Sequence, residues 1–131
     1  MKPDRHDKNG QKSGLWKECF RDGKLSSVGK YRNGKKTGTW KYYLRNGLLK
    51  AVGKYSNGEL TGPWKWYREN GKLLQTGTFK NGKQAGLWKR YHRTGDLHDV
   101  GKYADGKKIG VWKYYDTSGA LRRSQGKSPT G

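Results

Sequence analysis

Five lysines stand directly after a tryptophan, at Lys17, Lys41, Lys65, Lys89 and Lys113, each 24 residues beyond the last. Ammonium groups repeated at a fixed interval can neutralise phosphates, meet lipid headgroups or steer an acidic protein. Lys30, Lys54 and Lys102 recur in a second slot of the same period. Lysines outnumber arginines 21 to 9, which favours point-charge contacts over the bidentate base reading that a guanidinium supports. Nucleic-acid binding by such a surface is expected to be weakly sequence-specific and steeply salt-dependent. The same lysines would also keep a sheet soluble and discourage edge-to-edge pairing, and both roles stay open.

Two other groups bear on chemistry. His92, Asp96, His98 and Asp99 are close enough in the chain to suggest a metal site. Cys19, the single cysteine, excludes an intramolecular disulfide and reads as a half-buried, inert thiol. There is no nucleophile elbow, no phosphate-binding glycine loop and no pair of acids, and the ten carboxylates are scattered mostly at turns. The expectation is a chain that is not an enzyme and needs no cofactor or metal.

The elements that must position the lysines follow from the period itself. Units begin at Gly14, Gly38, Gly62, Gly86 and Gly110, which sets Trp16, Trp40, Trp64, Trp88 and Trp112 in phase and marks a repeat array. A net charge of +20 with only 18 Leu, Ile, Val and Phe residues would suit a disordered chain. Nine Tyr and six Trp argue otherwise, because each can bury roughly 150 to 250 Å².

Every unit carries two turn signals suited to two-residue type I′ hairpins. Asp22-Gly23, Asn46-Gly47 and Asn70-Gly71 form one series, continued by Thr94-Gly95 and Ser118-Gly119; Asn33-Gly34, Asn57-Gly58, Asn81-Gly82 and Asp105-Gly106 form the other. Two-residue loops would place Trp16 opposite Gly29, Trp40 opposite Gly53, Trp64 opposite Gly77 and Trp88 opposite Gly101, each indole lying over a residue without a side chain, and Gly53 opposite Gly62. Trp112 would face Gln125.

Strand alternation then assigns Trp40, Tyr42, Leu44, Leu49, Ala51, Tyr55 and Leu60 to an aromatic face, and Lys41, Tyr43, Lys50, Val52, Lys54 and Thr61 to a lysine face. Equivalent lysines should lie ~10 Å apart, two strands at ~4.8 Å each. The same register puts His92 and His98 on opposite faces, which breaks up the metal cluster, and a single layer leaves no concave pocket.

The predicted fold is all-β, an elongated single-layer antiparallel meander of about ten strands. Residues 1–8 are read as a flexible arm, 9–125 as the repeat array and 126–131 as a frayed tail. No apolar segment approaches the ~20 residues needed to span a bilayer, so a cytoplasmic protein is expected.

The unit G-x-W-K-x-Y-x-x-x-G-x-L-x-x-x-G-x-Y-x-x-G-x-x-x resembles the MORN repeat in its bacterial variant form, and the chain from Asn9 to Gln125 is similar to the small repeat proteins grouped as YwqK-type antitoxins. The resemblance implies a sheet of successive hairpins that binds a protein partner, with a toxin as one instance, or, by its eukaryotic relatives, acidic phospholipids. Unit four departs from the pattern, with Arg90-Tyr91-His92 in place of Tyr42-Tyr43-Leu44. The leading expectation is a protein-docking module, and the alternative is a basic scaffold for acidic lipid surfaces or nucleic acid.

Overall fold

A computed structural model describes residues 5–126. Eleven strands make one sheet in strict chain order, each antiparallel to the next: β1 (Arg5–His6), β2 (Lys12–Cys19), β3 (Leu25–Arg32), β4 (Lys35–Tyr43), β5 (Leu49–Ser56), β6 (Glu59–Tyr67), β7 (Leu73–Lys80), β8 (Lys83–Tyr91), β9 (Leu97–Ala104), β10 (Lys107–Tyr115) and β11 (Leu121–Gln125). The all-β meander expected from the period is the fold found. Arg5 and His6, read from sequence as part of a loose arm, pair with Ser13 and Lys12. Residues 1–4 and 127–131, half of the expected arm and all but one residue of the expected tail, lie outside the described residues.

The two series of turns differ. Asn33, Asn57, Asn81 and Asp105 have φ between 51° and 54°, and each is followed by a glycine at positive φ. Both central residues are left-handed, as a two-residue type I′ loop requires. In the other series only the glycine is left-handed, and the Leu44 N–H donates to the Leu48 carbonyl across a three-residue loop. The Asn46 side chain contributes by accepting from the Leu48 N–H at 2.9 Å, a local bond that Asp22 and Asn70 repeat.

A three-residue loop alone would slip the register by one and turn every side chain over. A bulge cancels the slip. Tyr43 pairs with Leu49 but Tyr42 pairs with Ala51, leaving Lys50 as the extra residue. Trp40 therefore does pair with Gly53, while Leu49 lies across from Tyr43 and leaves the aromatic face on which a two-residue loop would have placed it.

The other hairpin carries a larger irregularity. Lys54 pairs with Thr61 and Val52 with Lys65, so Gly53 alone faces Gly62, Pro63 and Trp64. The expected Gly53–Gly62 pair does not form. Gly62 has φ 68°, and the other unit-starting glycines lie between 66° and 71°, a backbone region that glycine enters without steric cost. Because the offset is two residues, the pleat phase survives it.

This offset decides where each indole goes. Trp64 is the Cα partner of Gly77, yet its ring covers Gly53, where a methyl group would overlap Cδ2 and Cε2. Trp40 likewise covers Gly29, Trp88 covers Gly77 and Trp112 covers Gly101. The indole thus seats on the glycine of the preceding hairpin, not on its own register partner as the sequence suggested. Its N–H donates to the carbonyl one residue beyond that glycine: Trp40 to Lys30 at 3.0 Å, Trp64 to Lys54 at 3.1 Å, Trp88 to Thr78 at 3.1 Å and Trp112 to Lys102 at 3.2 Å. These four tryptophans are between 0% and 5% exposed and form the core with Ala51.

Two substitutions test the seat. Gly53→Ala must displace the Trp64 ring and should destabilise by about 3 kcal/mol. Trp64→Phe leaves the Lys54 carbonyl without its donor and should cost about 1–3 kcal/mol. Urea denaturation of both variants checks this, and a wild-type midpoint for Gly53→Ala would rule out the seat as the source of stability.

Candidate functional site

The register draws the lysines after tryptophan into one row across the sheet. Lys17 and Lys41 both pair with Val28, Lys41 and Lys65 with Val52, Lys65 and Lys89 with Thr76, and Lys89 and Lys113 with Val100. A short, uncharged residue separates each ammonium from the next, so no like charges stand directly opposite. Lys30, Lys54 and Lys102 flank this row, paired with Leu15, Thr39 and Leu87 on one side. All eight are exposed except Lys89, which is half-buried, and none takes part in an ion pair among the described residues. Lys30, Lys54 and Lys102 hold an indole through their carbonyls, so their side chains are fixed to a rigid part of the backbone.

One end of this face differs from the rest. Leu87 is 49% exposed, Ile109 46% and Val111 38%, and with Val100 they line a shallow depression of about 550 Å³ rimmed by Lys102 and Lys113. The residues at the corresponding positions one and two units earlier are Pro63 and Thr39 for Leu87, and Ala85 and Thr61 for Ile109. The sequence held this signal as a departure from the period, which attention to the lysines passed over. The depression also corrects the expectation that a single layer has no concavity.

On the aromatic face, lysines that alternation had left unassigned cap the rings. Lys12 Nζ lies 4.7 Å from the Trp16 ring, Lys36 Nζ 4.7 Å from Trp40 and Lys108 Nζ 4.6 Å from Trp112. Leu60 and Gln84 hold this slot in the two middle units. Lys36 also donates to the Tyr42 hydroxyl at 3.0 Å, and that hydroxyl is 2.8 Å from the hydroxyl of Tyr55. Burial raises the pKa of both phenols above the ordinary 10.0; the shared hydrogen bond opposes the shift at Tyr42 and adds to it at Tyr55.

Unit four replaces aromatic packing with an ion pair. Arg90 Nε and Nη2 both donate to Asp99, whose side chain is 1% exposed, and this bonding holds the guanidinium firmly protonated. His98 Nδ1 lies 3.2 Å from the same carboxylate. The rings of His92 and His98 are 4.5 Å apart, although two-residue loops put them on opposite faces. His98 is the bulged residue of this hairpin, equivalent to Lys50, and the bulge brings it beside His92. His92 Nε2 is also 2.8 Å from the Tyr115 carbonyl, a bond from a loop residue to a strand end one unit on that Arg68 repeats to Tyr91, while Asn46 donates to the Glu69 carbonyl of the next loop. No group of three or more His, Cys, Asp or Glu residues is arranged to hold a metal among the described residues. Cys19 is exposed rather than half-buried.

Residues 60–81 match the family model described as MORN repeat variant. The matched stretch runs from β6 through β7 and contains Trp64, Gly71 and Gly77, whose counterparts recur in phase along the sheet. That stretch is thus a repeat of the MORN variant type. No curated protein matches it. No helix of the described residues is long and apolar enough to cross a membrane.

The buried phenol pair has a pH signature. A folded-state pKa above the unfolded value contributes stability that is present below pH 10 and lost as pH rises through the folded value. Tyr42 and Tyr55 should ionise after the other tyrosines in an alkaline titration followed by tyrosinate absorbance. Tyr55→Phe should remove the Tyr55 share of that late phase and leave the Tyr42 share, which burial sustains, and a single transition for all nine tyrosines would contradict the burial of the pair.

Proposed function

We propose that the chain is a non-enzymatic repeat module that docks a protein partner on its lysine face, in a cytoplasmic setting. The observation that carries this reading is the group of Leu87, Ile109 and Val111, large apolar side chains left exposed beside the lysine row. Protein interfaces combine an apolar centre with a polar rim, whereas phosphate neutralisation calls for charge alone. Charge complementarity makes the partner's contact surface acidic, with apolar side chains to fill the depression. A toxin neutralised by docking is the instance that the repeat family suggests. It would have to present such an acidic surface, since a basic toxin would be repelled by a chain of net charge +20.

A basic scaffold for acidic phospholipid surfaces or nucleic acid is the second reading. It is favoured by the regular row of unpaired lysines running the length of the sheet, well beyond the apolar depression.

Affinity capture from the native host at ~0.15 M salt, with and without nuclease, separates the two. A single stoichiometric protein should survive nuclease and should be lost both in Leu87→Ser/Ile109→Ser/Val111→Ser and in Lys41→Glu/Lys65→Glu/Lys89→Glu. Recovery of nucleic acid or lipid alone, lost in the charge-reversal variant and retained in the serine variant, would replace docking with the scaffold.

A further inference from the structure

The ladder of rings on the aromatic face has a missing rung. Tyr42 lies between Trp40 and Trp64 at centroid separations of 6.2 and 6.5 Å, stacked at 29° to both. Trp66 lies between Trp64 and Trp88 at 5.8 and 5.6 Å, tilted by 26° and 31°. The next position belongs to Arg90, and no ring is stacked between Trp88 and Trp112 among the described residues; Tyr103 meets both edge-on, at 5.6 and 5.1 Å, as Tyr55 meets Trp40 and Trp64. Arg90 does not fill the place, because buried Asp99 draws its guanidinium aside. What remains is a cavity of about 210 Å³, lined by Trp88, Arg90, Asp99, Tyr103, Lys108 and Trp112. A cavity of about 150 Å³ is enough to bind benzene.

We propose that this gap is a binding site for a single planar aromatic ring with an anionic or hydrogen-bond-accepting edge, which enters as the absent rung. Trp88 and Trp112 offer the stacking surfaces that Tyr42 and Trp66 use in their own units. Asp99 neutralises Arg90, so Lys108, with Lys89, which also lines the cavity, supplies the net positive charge. Tyr103, the cross-strand partner of Lys108, also lines the cavity and brings a hydroxyl. A ring stacked as Tyr42 is would direct its polar edge toward Tyr103, as the Tyr42 hydroxyl meets Tyr55, and Lys108 stands across from Tyr103 where Leu60 stands across from Tyr55. A free aromatic acid and an aromatic side chain on a partner protein share this chemistry. The stacking surfaces lie on the aromatic face and the site shares only Lys89 with the lysine row, so it stands or falls apart from docking at Leu87, Ile109 and Val111.

The test is titration of the folded chain with 4-hydroxyphenylacetate, with a short acidic peptide containing one tyrosine, and with cyclohexylacetate as the aliphatic control, following the Trp88 and Trp112 indole N–H signals by NMR. For one ring the expected Kd is on the order of 1 mM, with cyclohexylacetate at least about 10-fold weaker. Arg90→Tyr/Asp99→Ala restores the Tyr42 and Ala51 pattern, fills the gap from within, and should abolish binding while raising thermal stability. Lys108→Leu introduces the residue that unit two carries in this slot, Leu60, and should weaken the acid about 10-fold while keeping the fold. A peptide about 10-fold tighter than the free acid identifies a protein side chain as the source, and equal affinities identify the small molecule. Equal binding of cyclohexylacetate, undiminished binding to Arg90→Tyr/Asp99→Ala, or no shift of either indole signal overturns the proposal.

Discussion

The sheet depends on a planar indole lying flat on a glycine. A single layer has no second layer to cover its apolar side, and an exposed row of tryptophans would leave little net stabilisation. Removing the glycine side chain lets the ring drop onto the backbone, where neighbouring tyrosines close over it. Trp40 becomes fully buried this way in a structure one strand thick. Tyrosine or phenylalanine could cover the same area but could not repeat the bond from the indole N–H, which satisfies a carbonyl that the interrupted ladder would otherwise leave unpaired. The bulge, the glycine and the tryptophan are therefore one device. The bulge brings the ring across, the glycine admits it, and the freed carbonyl holds it.

The same device explains why the two faces divide their work. Backbone around each seat is fixed by ring contacts from one side, and the residues adjoining the seat in the chain point to the other. Lys54 illustrates this: its carbonyl accepts from Trp64 while its ammonium stands in solvent. A rigid aromatic side thus sets the spacing of a charged side, and charge on one face does not disturb packing on the other. The ammonium groups over Trp16, Trp40 and Trp112 belong to the packed side, where they cover rings.

Much of this was legible from the 24-residue period and its Asn-Gly and Asp-Gly pairs. Strand number, chain-order pairing and the Trp40–Gly53 register all followed from them. The register survived a partly mistaken route: the Asn46 loop has three residues, and the bulge at Lys50 compensates for it. Bulges are local responses to the twist of paired strands and leave little trace in composition, so the two-residue offset at Gly62 went unread, and with it the glycine that each indole covers. The meeting of His92 and His98 was hidden for the same reason. Leu87, Ile109 and Arg90 were visible only as exceptions to the period, and such exceptions carry information because the repeat gives each position an expected residue.

The direction of the seat has a consequence for how the chain assembles. Each of the four seated tryptophans occupies a glycine eleven residues earlier, as Trp64 does Gly53, so the receiving surface always precedes its occupant in order of synthesis. A nascent array can close one unit at a time from its amino end, each arriving ring finding its place already made. The opposite polarity, with the glycine following the tryptophan, would hold every indole in water until the next hairpin had been translated. Coupling between units reaches back by a single hairpin, and the growing sheet has at any moment one unfinished edge.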